Sequence, residues 1–335
     1  MRSHSARRRE QGPAKGAQRA PSWDFAEGDD IVPGLSALRR LGGGNRFDAY
    51  LAWDDHRRSV VVAKLIRPHL VEDEWALAAL EAEWGLIETL SHPVIVRGFS
   101  AELDGPRPHL VLEYLRGPRL STLLRRFGPL PVEQLVPLAV RLAAALHYLH
   151  AEGVVHLDVK AANTIMGAPP RLIDLSVARD LEEAAELSRP VGTAAYMAPE
   201  QCLPRKLGPV GPAADVWGLG VTLYEAATGE RPFPRGDASG EREVRWPQLA
   251  RDPDPLAGRL PAALAEPIMA CLQRDPAARP SPAELAETFE EVLARLPKPT
   301  PLAPQAAGAR RAPLSTQGPR LRHSDGRGGR IRDFD

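Results

Sequence analysis

The sequence predicts an α+β fold of two lobes, in which a small β-rich lobe with one helix precedes a larger, mainly helical lobe. β-branched and apolar residues run from Ser59 to Ile66 and from His109 to Tyr114, as in strands. The stretch from Glu72 to Leu90 lacks proline and is rich in Ala, Leu and Glu, which favours a helix. After Gly117 the pattern becomes mainly helical, and this change predicts the second lobe.

The first lobe is predicted to begin with a hairpin. Leu35 to Leu41 and Ala49 to Trp53 are strand-like, and a cluster of glycines separates them. The turn at residues 54–58 then leads into the β-branched strand. The helix that follows carries apolar residues at helical spacing, which are expected to be buried: Leu77, Leu80, Trp84 and Ile87.

The second lobe is predicted to contain four main helices. They cover Val132 to Glu152, Asp215 to Ala227, Ala262 to Arg274 and Pro282 to Leu296.

The ends of the chain differ from its body in composition. Residues 1–30 are predicted to be a disordered basic arm and residues 297–335 a disordered tail rich in Pro and Arg. The folded domain is then 31–296, divided into lobes 31–115 and 116–296.

Composition excludes several classes of protein. No apolar run approaches the roughly 20 residues of a membrane span, and Cys202 and Cys271 form no paired motif, so we expect a cytoplasmic protein without disulfides or zinc. The two ends are basic, but solvated arms explain such charge, so nucleic-acid binding is not expected. The oligomeric state stays open.

One short loop carries most of the chemistry. His156-Leu157-Asp158-Val159-Lys160-Ala161-Ala162-Asn163 combines a carboxylate, an ammonium and an amide, and Asp174 follows the apolar pair Leu172-Ile173. Such a set suits phosphoryl transfer, because a carboxylate accepts a hydroxyl proton, lysine meets phosphate charge, and side-chain oxygens hold a divalent metal ion.

The loop resembles the catalytic loop of protein kinases, and other motifs follow in the order that this family shows over roughly residues 35–296. The chain is therefore similar to bacterial, eukaryotic-like (Hanks-type) serine/threonine protein kinases. The resemblance implies a protein-kinase-like fold and the transfer of the γ-phosphoryl group of ATP to serine and threonine hydroxyls of protein substrates, including the chain's own. It also implies Asp158 as the catalytic base, Lys160 beside the transferring phosphoryl group, and Asn163 and Asp174 as ligands of Mg²⁺ or Mn²⁺.

The same resemblance implies an ATP pocket. Its contacts would come from the glycine-rich hairpin, the strand with Lys64, and the hinge after Leu112, namely from Leu41, Gly42, Gly44, Ala49, Ala63, Lys64, Glu113 and Leu115. A carboxylate is expected to pair with Lys64. Helical periodicity leaves Glu81 and Glu83 open, and the family spacing to Ser91-His92-Pro93 selects Glu83. Without the resemblance, the glycines could form an ordinary hairpin turn and Lys64 could guard a strand edge.

A platform for peptide substrates is implied by the later motifs. Gly192-Thr193 through Ala198-Pro199-Glu200 resembles the end of a kinase activation segment, and Thr193 with Lys160 is typical of serine/threonine kinases. Glu200 is expected to pair with Arg279, and Asp215 to brace the catalytic-loop backbone. These features argue against small-molecule phosphotransferases.

Three residues depart from the family pattern. Phe47 stands in place of the third glycine, Leu157 in place of the arginine that receives an activation-loop phosphate, and Ser176 in place of a glycine after Asp174. They motivate the alternative of a pseudokinase scaffold that binds nucleotide without efficient transfer. They also suggest the hypothesis that activation does not require loop phosphorylation, because leucine cannot bind a phosphate.

Overall fold

A six-stranded antiparallel sheet forms the first lobe of this computed structural model, which describes residues 21–297. The strands lie in the order β1-β2-β3-β4-β6-β5. Their bounds are β1 (Asp30–Val32), β2 (Leu35–Gly43), β3 (Phe47–Asp54), β4 (Ser59–Ile66), β5 (Gly98–Glu102) and β6 (His109–Glu113). The predicted hairpin is formed by β2 and β3, so the glycine cluster lies at its turn.

Alternation along the strands separates two faces of this sheet. In β3 and β4, Tyr50, Ala52, Val61, Ala63 and Leu65 point to one side and form a buried apolar layer. Their neighbours in sequence point to the opposite side, where the single helix of the lobe packs. The strand that carries Lys64 therefore presents that side chain away from the apolar layer.

The helix of the first lobe is α1 (Glu74–Thr89). It begins two residues later than predicted because Asp73 is the N-cap, accepting a hydrogen bond from the amide of Ala76 at 2.8 Å. Its buried stripe is centred differently from the predicted one. Leu80 and Ile87 are buried as expected, while Leu77 and Trp84 are only half-buried. Ala76 and Glu83 complete the buried face.

The second lobe is mainly helical, as predicted. Its helices are α2 (Leu120–Phe127), α3 (Val132–Ala151), α4 (Leu181–Ala185), α5 (Pro199–Cys202), α6 (Pro212–Thr228), α7 (Arg242–Arg245), α8 (Ala262–Ala270) and α9 (Pro282–Arg295). Helix α3 packs against α6 and α9 at the centre. Within residues 21–297, no helix is both long enough and apolar enough to cross a membrane.

Four short strands complete the second lobe: β7 (Val154–Val155), β8 (Thr164–Ile165), β9 (Arg171–Leu172) and β10 (Arg179–Asp180). Strand β8 pairs with β9, and β7 pairs with β10. The loop between β7 and β8 holds the predicted catalytic motif, and Asp174 lies two residues after β9. The strands at both ends of the motif are thus held by pairing.

Helix α8 ends four residues before the predicted Arg274. Just beyond α8, the carbonyls of Gln273 and Arg274 accept hydrogen bonds from the guanidinium of Arg279, at 2.8 and 3.2 Å. Pro276 also disfavours helical backbone at the residue before it. The chain therefore turns out of the helix to supply these acceptors.

Residues 21–30, which belong to the predicted basic arm, lie against the sheet. The indole N–H of Trp23 donates to the carbonyl of Ile66 at 2.8 Å. Trp23 stacks on Phe25, which meets the ring of Tyr50 edge-on. Both rings are half-buried, and their contacts hold a segment of otherwise polar composition against the sheet. Residues 1–20 and 298–335, which include most of the two predicted disordered ends, lie outside the described residues.

Candidate active site

A cleft of about 840 Å³ separates the sheet from the helical lobe and brings most predicted site residues together. The glycine-rich hairpin covers one side, and the segment after β6 closes the back. Residues from the second lobe line the opposite side. Eleven of the predicted residues line this cleft: Leu41, Gly42, Gly44, Ala49, Lys64, Glu83, Glu113, Leu115, Lys160, Asn163 and Asp174.

Lys64 on β4 is the ionic centre of the cleft. Its ammonium lies 2.7 Å from both carboxylate oxygens of Glu83 on α1 and 2.7 Å from Oδ1 of Asp174. Glu83 is buried on α1 and Glu81 is exposed, which resolves the choice that periodicity left open. Three elements that are distant in sequence therefore meet at one side chain.

The charges around Lys64 set its protonation and that of its partners. Burial alone would lower the pKa of Lys64, but Asp174 and Glu83 outweigh it and raise the pKa. Burial raises the pKa of Glu83, with Lys64 opposing this shift. Burial also acts to raise the pKa of Asp174, but the Lys64 ammonium prevails and holds that pKa well below its usual range. Lys64 and Asp174 are thus charged at neutral pH.

Asp158, which does not itself line the cleft, belongs to a second cluster and contacts the cleft residues Lys160 and Asn163. Its Oδ2 accepts a hydrogen bond from Nζ of Lys160 at 2.5 Å, and its Oδ1 accepts one from the amide of Thr193 at 2.9 Å. Lys160 also donates to the hydroxyl of Thr193 at 2.7 Å. The carboxylate is therefore fixed from both the catalytic loop and the activation segment.

Asn163 and Asp174 have the chemistry to hold a divalent metal ion. The side-chain N–H of Asn163 donates to the carbonyl oxygen and to Oδ2 of Asp158, at 3.1 and 3.2 Å, which leaves its Oδ1 as the atom able to ligate. Asp174 is ionised and half-buried at the cleft. Residues 21–297 hold no group of three or more His, Cys, Asp or Glu side chains arranged for a metal ion. An amide and a carboxylate nevertheless fit Mg²⁺, which takes few protein ligands and completes its shell with water and phosphate oxygens.

Asp215 on α6 holds the start of the catalytic loop. Its Oδ1 accepts the amide of Leu157 at 2.7 Å, and its Oδ2 accepts the amide of His156 at 2.8 Å. His150 adds a third contact, from Nε2 to Oδ2 at 2.9 Å. The resemblance implies this brace on the loop backbone but not the contact with His150, which the structure adds.

Leu157 occupies the apolar core where the family has an arginine. It is 3% exposed and belongs to the main hydrophobic cluster of the helical lobe. Its backbone has φ 64°, and Asp174 has φ 73°, so both residues lie in the left-handed region that non-glycine residues adopt only rarely. The carbonyl of Leu157 accepts a bond from Nε2 of Gln201 at 2.9 Å, which also reaches Val191 at 3.0 Å. An uncharged contact thus fastens the activation segment to the loop.

Glu200 and Arg279 form the predicted ion pair. Nη1 and Nη2 of Arg279 lie 2.6 and 2.9 Å from the two carboxylate oxygens, and both side chains are almost fully buried. The guanidinium also lies over the ring of Trp217, 5.0 Å from its centroid. The pair links the end of the activation segment to the chain between α8 and α9.

Ala63 is a correction to the predicted ATP contacts. It is fully buried in the apolar layer on the far side of the sheet, and it does not line the cleft. Val62 and Lys64 line the cleft instead, since alternate residues of a strand point to opposite faces. The alternation rule applied to the run Val61-Val62-Ala63-Lys64 could have identified Val62 from the sequence.

Phe47 covers Lys64. Its ring centroid lies 4.8 Å from the ammonium, and the residue lines the cleft at the start of β3. The glycines of the hairpin allow its close path, because Gly42 has φ 138° and a Cβ at Gly43 would lie 2.5 Å from the carbonyl oxygen of Phe47. The hairpin therefore keeps a tight turn although a phenylalanine stands in place of the third glycine.

The hinge side of the cleft is formed by residues 112–115. Leu112, Glu113 and Leu115 line it. The amide of Glu113 already donates to the carbonyl of Arg97 at 2.9 Å. A bound base would therefore meet the carbonyl of Glu113 and the backbone of Leu115. Sequence reasoning missed Arg171, whose guanidinium contacts the Glu113 carboxylate at 3.0 Å, because no local pattern links residues 58 positions apart.

Comparison with known proteins agrees with this geometry. The protein kinase domain family matches residues 35–289. The chain belongs to this family. Its two lobes and the cleft between them are thus a protein kinase fold, and members of the family use ATP with a divalent metal ion.

Several bacterial proteins are similar over the same region. Serine/threonine-protein kinase PknB of Mycobacterium leprae is 31% identical over 228 residues, 65% of this chain and 36% of that protein. Serine/threonine-protein kinase PkaA of Streptomyces coelicolor is 34% identical over 222 residues, 64% of this chain and 39% of that protein. Probable serine/threonine-protein kinase PkwA of Thermomonospora curvata is 36% identical over 242 residues, 71% of this chain and 31% of that protein. The chain thus spans between 31% and 39% of the length of these relatives.

Proposed function

We propose that this chain is a serine/threonine protein kinase that transfers the γ-phosphoryl group of ATP to hydroxyls of protein substrates, including its own. The observation that carries this proposal is that Lys64, Asn163 and Asp174, which come from three separate stretches of chain, line one cleft, while Asp158 contacts the cleft residues Lys160 and Asn163. The names of the similar bacterial proteins support the serine/threonine class.

Asp158 is the proposed catalytic base. Its carboxylate would orient the acceptor hydroxyl and accept its proton as the phosphoryl group is transferred. Lys160, 2.5 Å away, would place its positive charge beside the transferring group. Thr193 forms hydrogen bonds with both Asp158 and Lys160. The position of the activation segment therefore affects the position of these two side chains.

Lys64 is the proposed partner of the α- and β-phosphates. Glu83 fixes its ammonium, so the lysine need not be ordered when nucleotide binds. Asn163 and Asp174 would hold Mg²⁺ or Mn²⁺, and such an ion, when bound, would neutralise charge on the phosphate oxygens. Lys64 lowers the pKa of the Asp174 carboxylate, and the hydroxyl of Ser176 adds to this effect.

The adenine is proposed to lie against the hinge. Leu41, Ala49, Val62 and Leu112 would contact its faces, and the backbone of Glu113 and Leu115 its polar edge. Substrate peptide would lie near Thr193, on the platform that the Glu200–Arg279 pair and Asp215 support.

The three departures from the family pattern that motivate the pseudokinase alternative leave the proposed catalytic groups in place. Phe47 leaves Lys64 paired to Glu83, Leu157 leaves Asp158 in place, and Ser176 leaves Asp174 paired to Lys64. None of the three departures removes a group that transfer requires. The cytoplasmic location, the absence of nucleic-acid binding and the domain limits stay predictions.

Phosphoryl transfer to a general acceptor protein tests the proposal. With γ-labelled ATP, we expect label on serine and threonine and none on tyrosine, in the presence of Mg²⁺ or Mn²⁺ and not with a chelator. Label on tyrosine alone, or on a small molecule and not on protein, would refute the assignment.

A further inference from the structure

Arg171 on β9 connects the two lobes at the back of the cleft. Its Nη1 donates to the carbonyl of Ile95 at 2.9 Å and to Oε1 of Glu113 at 3.0 Å, while Nη2 lies 3.3 Å from Oε2. Strand β9 belongs to the helical lobe, whereas Glu113 ends a strand of the sheet. The side chain therefore spans the junction with a two-pronged contact that a guanidinium makes and an ammonium does not.

The Glu113 carboxylate is held from the other side as well. Its Oε1 accepts the amide of Arg97 at 2.8 Å, and the amide of Glu113 donates back to the carbonyl of Arg97 at 2.9 Å. Next to these contacts between Glu113 and Arg97, the amide of Leu172 donates to the carbonyl of Val94, and the carbonyl of Leu172 accepts from the amide of Val96. The hinge residue is thus tied by both its side chain and its backbone.

The contacts are shielded from solvent. The side chains of Arg171 and Glu113 are 15% and 14% exposed, unlike a surface ion pair. Separating this ion pair would leave a largely buried charge without its partner, which is costly. The guanidinium and the carboxylate are therefore held in one relative orientation. Glu113, Tyr114 and Leu115 follow one another along the cleft wall, so the orientation of Glu113 sets where the next backbone groups point.

We infer that Arg171 is a positioning residue for the nucleotide base, acting through Glu113. By holding the Glu113 carboxylate and the Ile95 carbonyl together, it presents the hinge carbonyl and the Leu115 backbone in a fixed geometry before nucleotide binds. A site ordered in advance binds more tightly because less freedom is lost on binding. This inference rests on the proposed function only in placing the adenine at the hinge.

Binding of adenosine and of ATP to Arg171→Met, measured by calorimetry, tests the inference. Arg171→Met is expected to weaken both ligands by the same factor of about tenfold, the size of one charge-assisted hydrogen bond. The equal loss identifies the base as the affected part, because adenosine has no phosphates. The KM for ATP should rise by this factor, and kcat at saturating ATP and the KM for the acceptor protein should not change.

Arg57→Met is the matched control. Arg57 pairs with Asp54 at 2.7 Å and donates to the carbonyl of Phe99 at 3.1 Å, the same kinds of contact in the first lobe, away from the cleft. It should leave adenosine binding unchanged. Arg171→Lys and Glu113→Gln, which keep the size of the side chains, should fall between wild type and Arg171→Met, and they serve where the methionine variant does not fold.

The inference is overturned if folded Arg171→Met or Glu113→Gln binds adenosine as tightly as wild type. It is also overturned if Arg57→Met weakens adenosine as much as Arg171→Met does, since that result would indicate a general loss of stability. Because binding needs no turnover, a wild type that binds adenosine but transfers no phosphate would refute the proposed function and leave this comparison intact.

Discussion

The ammonium of Lys64 on β4 lies 2.7 Å from each carboxylate oxygen of Glu83 on α1. The contact joins the sheet to the helix that packs on it, and Asp174 from the second lobe meets the same ammonium. Three titratable groups share one partly shielded space, so the charge of each depends on the other two. Both lobes therefore contribute to one ionic centre in the cleft.

Glu83 is expected to take up a proton at a higher pH than Asp174. Burial raises the pKa of Glu83, while Lys64 holds the pKa of Asp174 low. As the pH falls, the Lys64–Glu83 contact should therefore be lost first, with Asp174 still charged. Carboxyl-carbon NMR shifts followed against pH measure this order, with Glu83→Gln and Asp174→Asn assigning the signals. Protonation of Asp174 before Glu83 would contradict the assignment of charges.

Kinase activity is expected without phosphate on the activation segment. Gln201 fastens this segment to the carbonyl of Leu157, and Thr193 bonds Asp158 and Lys160. Protein treated with phosphatase and checked by mass spectrometry should show the same initial rate as untreated protein. Between Leu175 and Val191 the chain carries two serines, Ser176 and Ser188, and no threonine or tyrosine. Ser188→Ala should behave like wild type. A phosphate-free preparation that is inactive, and that recovers when the segment is phosphorylated, would refute this hypothesis.

Replacing Leu157 by the arginine that the family usually carries is expected to destabilise the protein. The side chain is 3% exposed in an apolar cluster, so a guanidinium there would be buried without a partner. We expect a loss of about 3 kcal/mol or more in the free energy of unfolding, measured by chemical denaturation. Leu157→Met, which keeps volume and polarity, should cost less than about 1.5 kcal/mol. An arginine variant as stable as wild type would show that the site tolerates charge.

Breaking the Glu200–Arg279 pair should be costly. Arg279→Met leaves the buried Glu200 carboxylate without its guanidinium, and the loss of unfolding free energy should be about 3–5 kcal/mol. Arg295→Met removes an exposed pair with Glu291 and should change stability by less than about 1 kcal/mol. Equal effects of the two variants would mean that burial does not set the strength of these pairs.

Much of the fold and of the site follows from the order of the motifs and the periodicity of apolar residues. What these patterns do not predict depends on how the elements pack. The helix with Glu83 and the strand with Lys64 follow from local pattern. The choice between Glu81 and Glu83 does not, because both border the apolar stripe and only the packing of α1 decides. The prediction that Ala63 contacts ATP is wrong, because strand alternation places Val62 and not Ala63 on the face that lines the cleft.

Other features depend on contacts between distant parts of the chain. Trp23 orders residues 21–30 through a bond to Ile66, which composition does not reveal. Arg171 and Glu113 are paired by the closure of two lobes. Each such pair joins residues that share no local motif, so the fold must be known before the contact can be recognised.

Comparison of wild type with Asp158→Asn, in both ATP binding and transfer of labelled phosphate to protein, tests the central claim most directly. The substitution keeps the size of the side chain and removes the proton acceptor. We predict that the variant binds ATP as wild type does and transfers phosphate about 10²–10⁴-fold more slowly. Equal transfer by the two proteins, or none by wild type, would contradict the proposal that Asp158 is the base of a protein kinase.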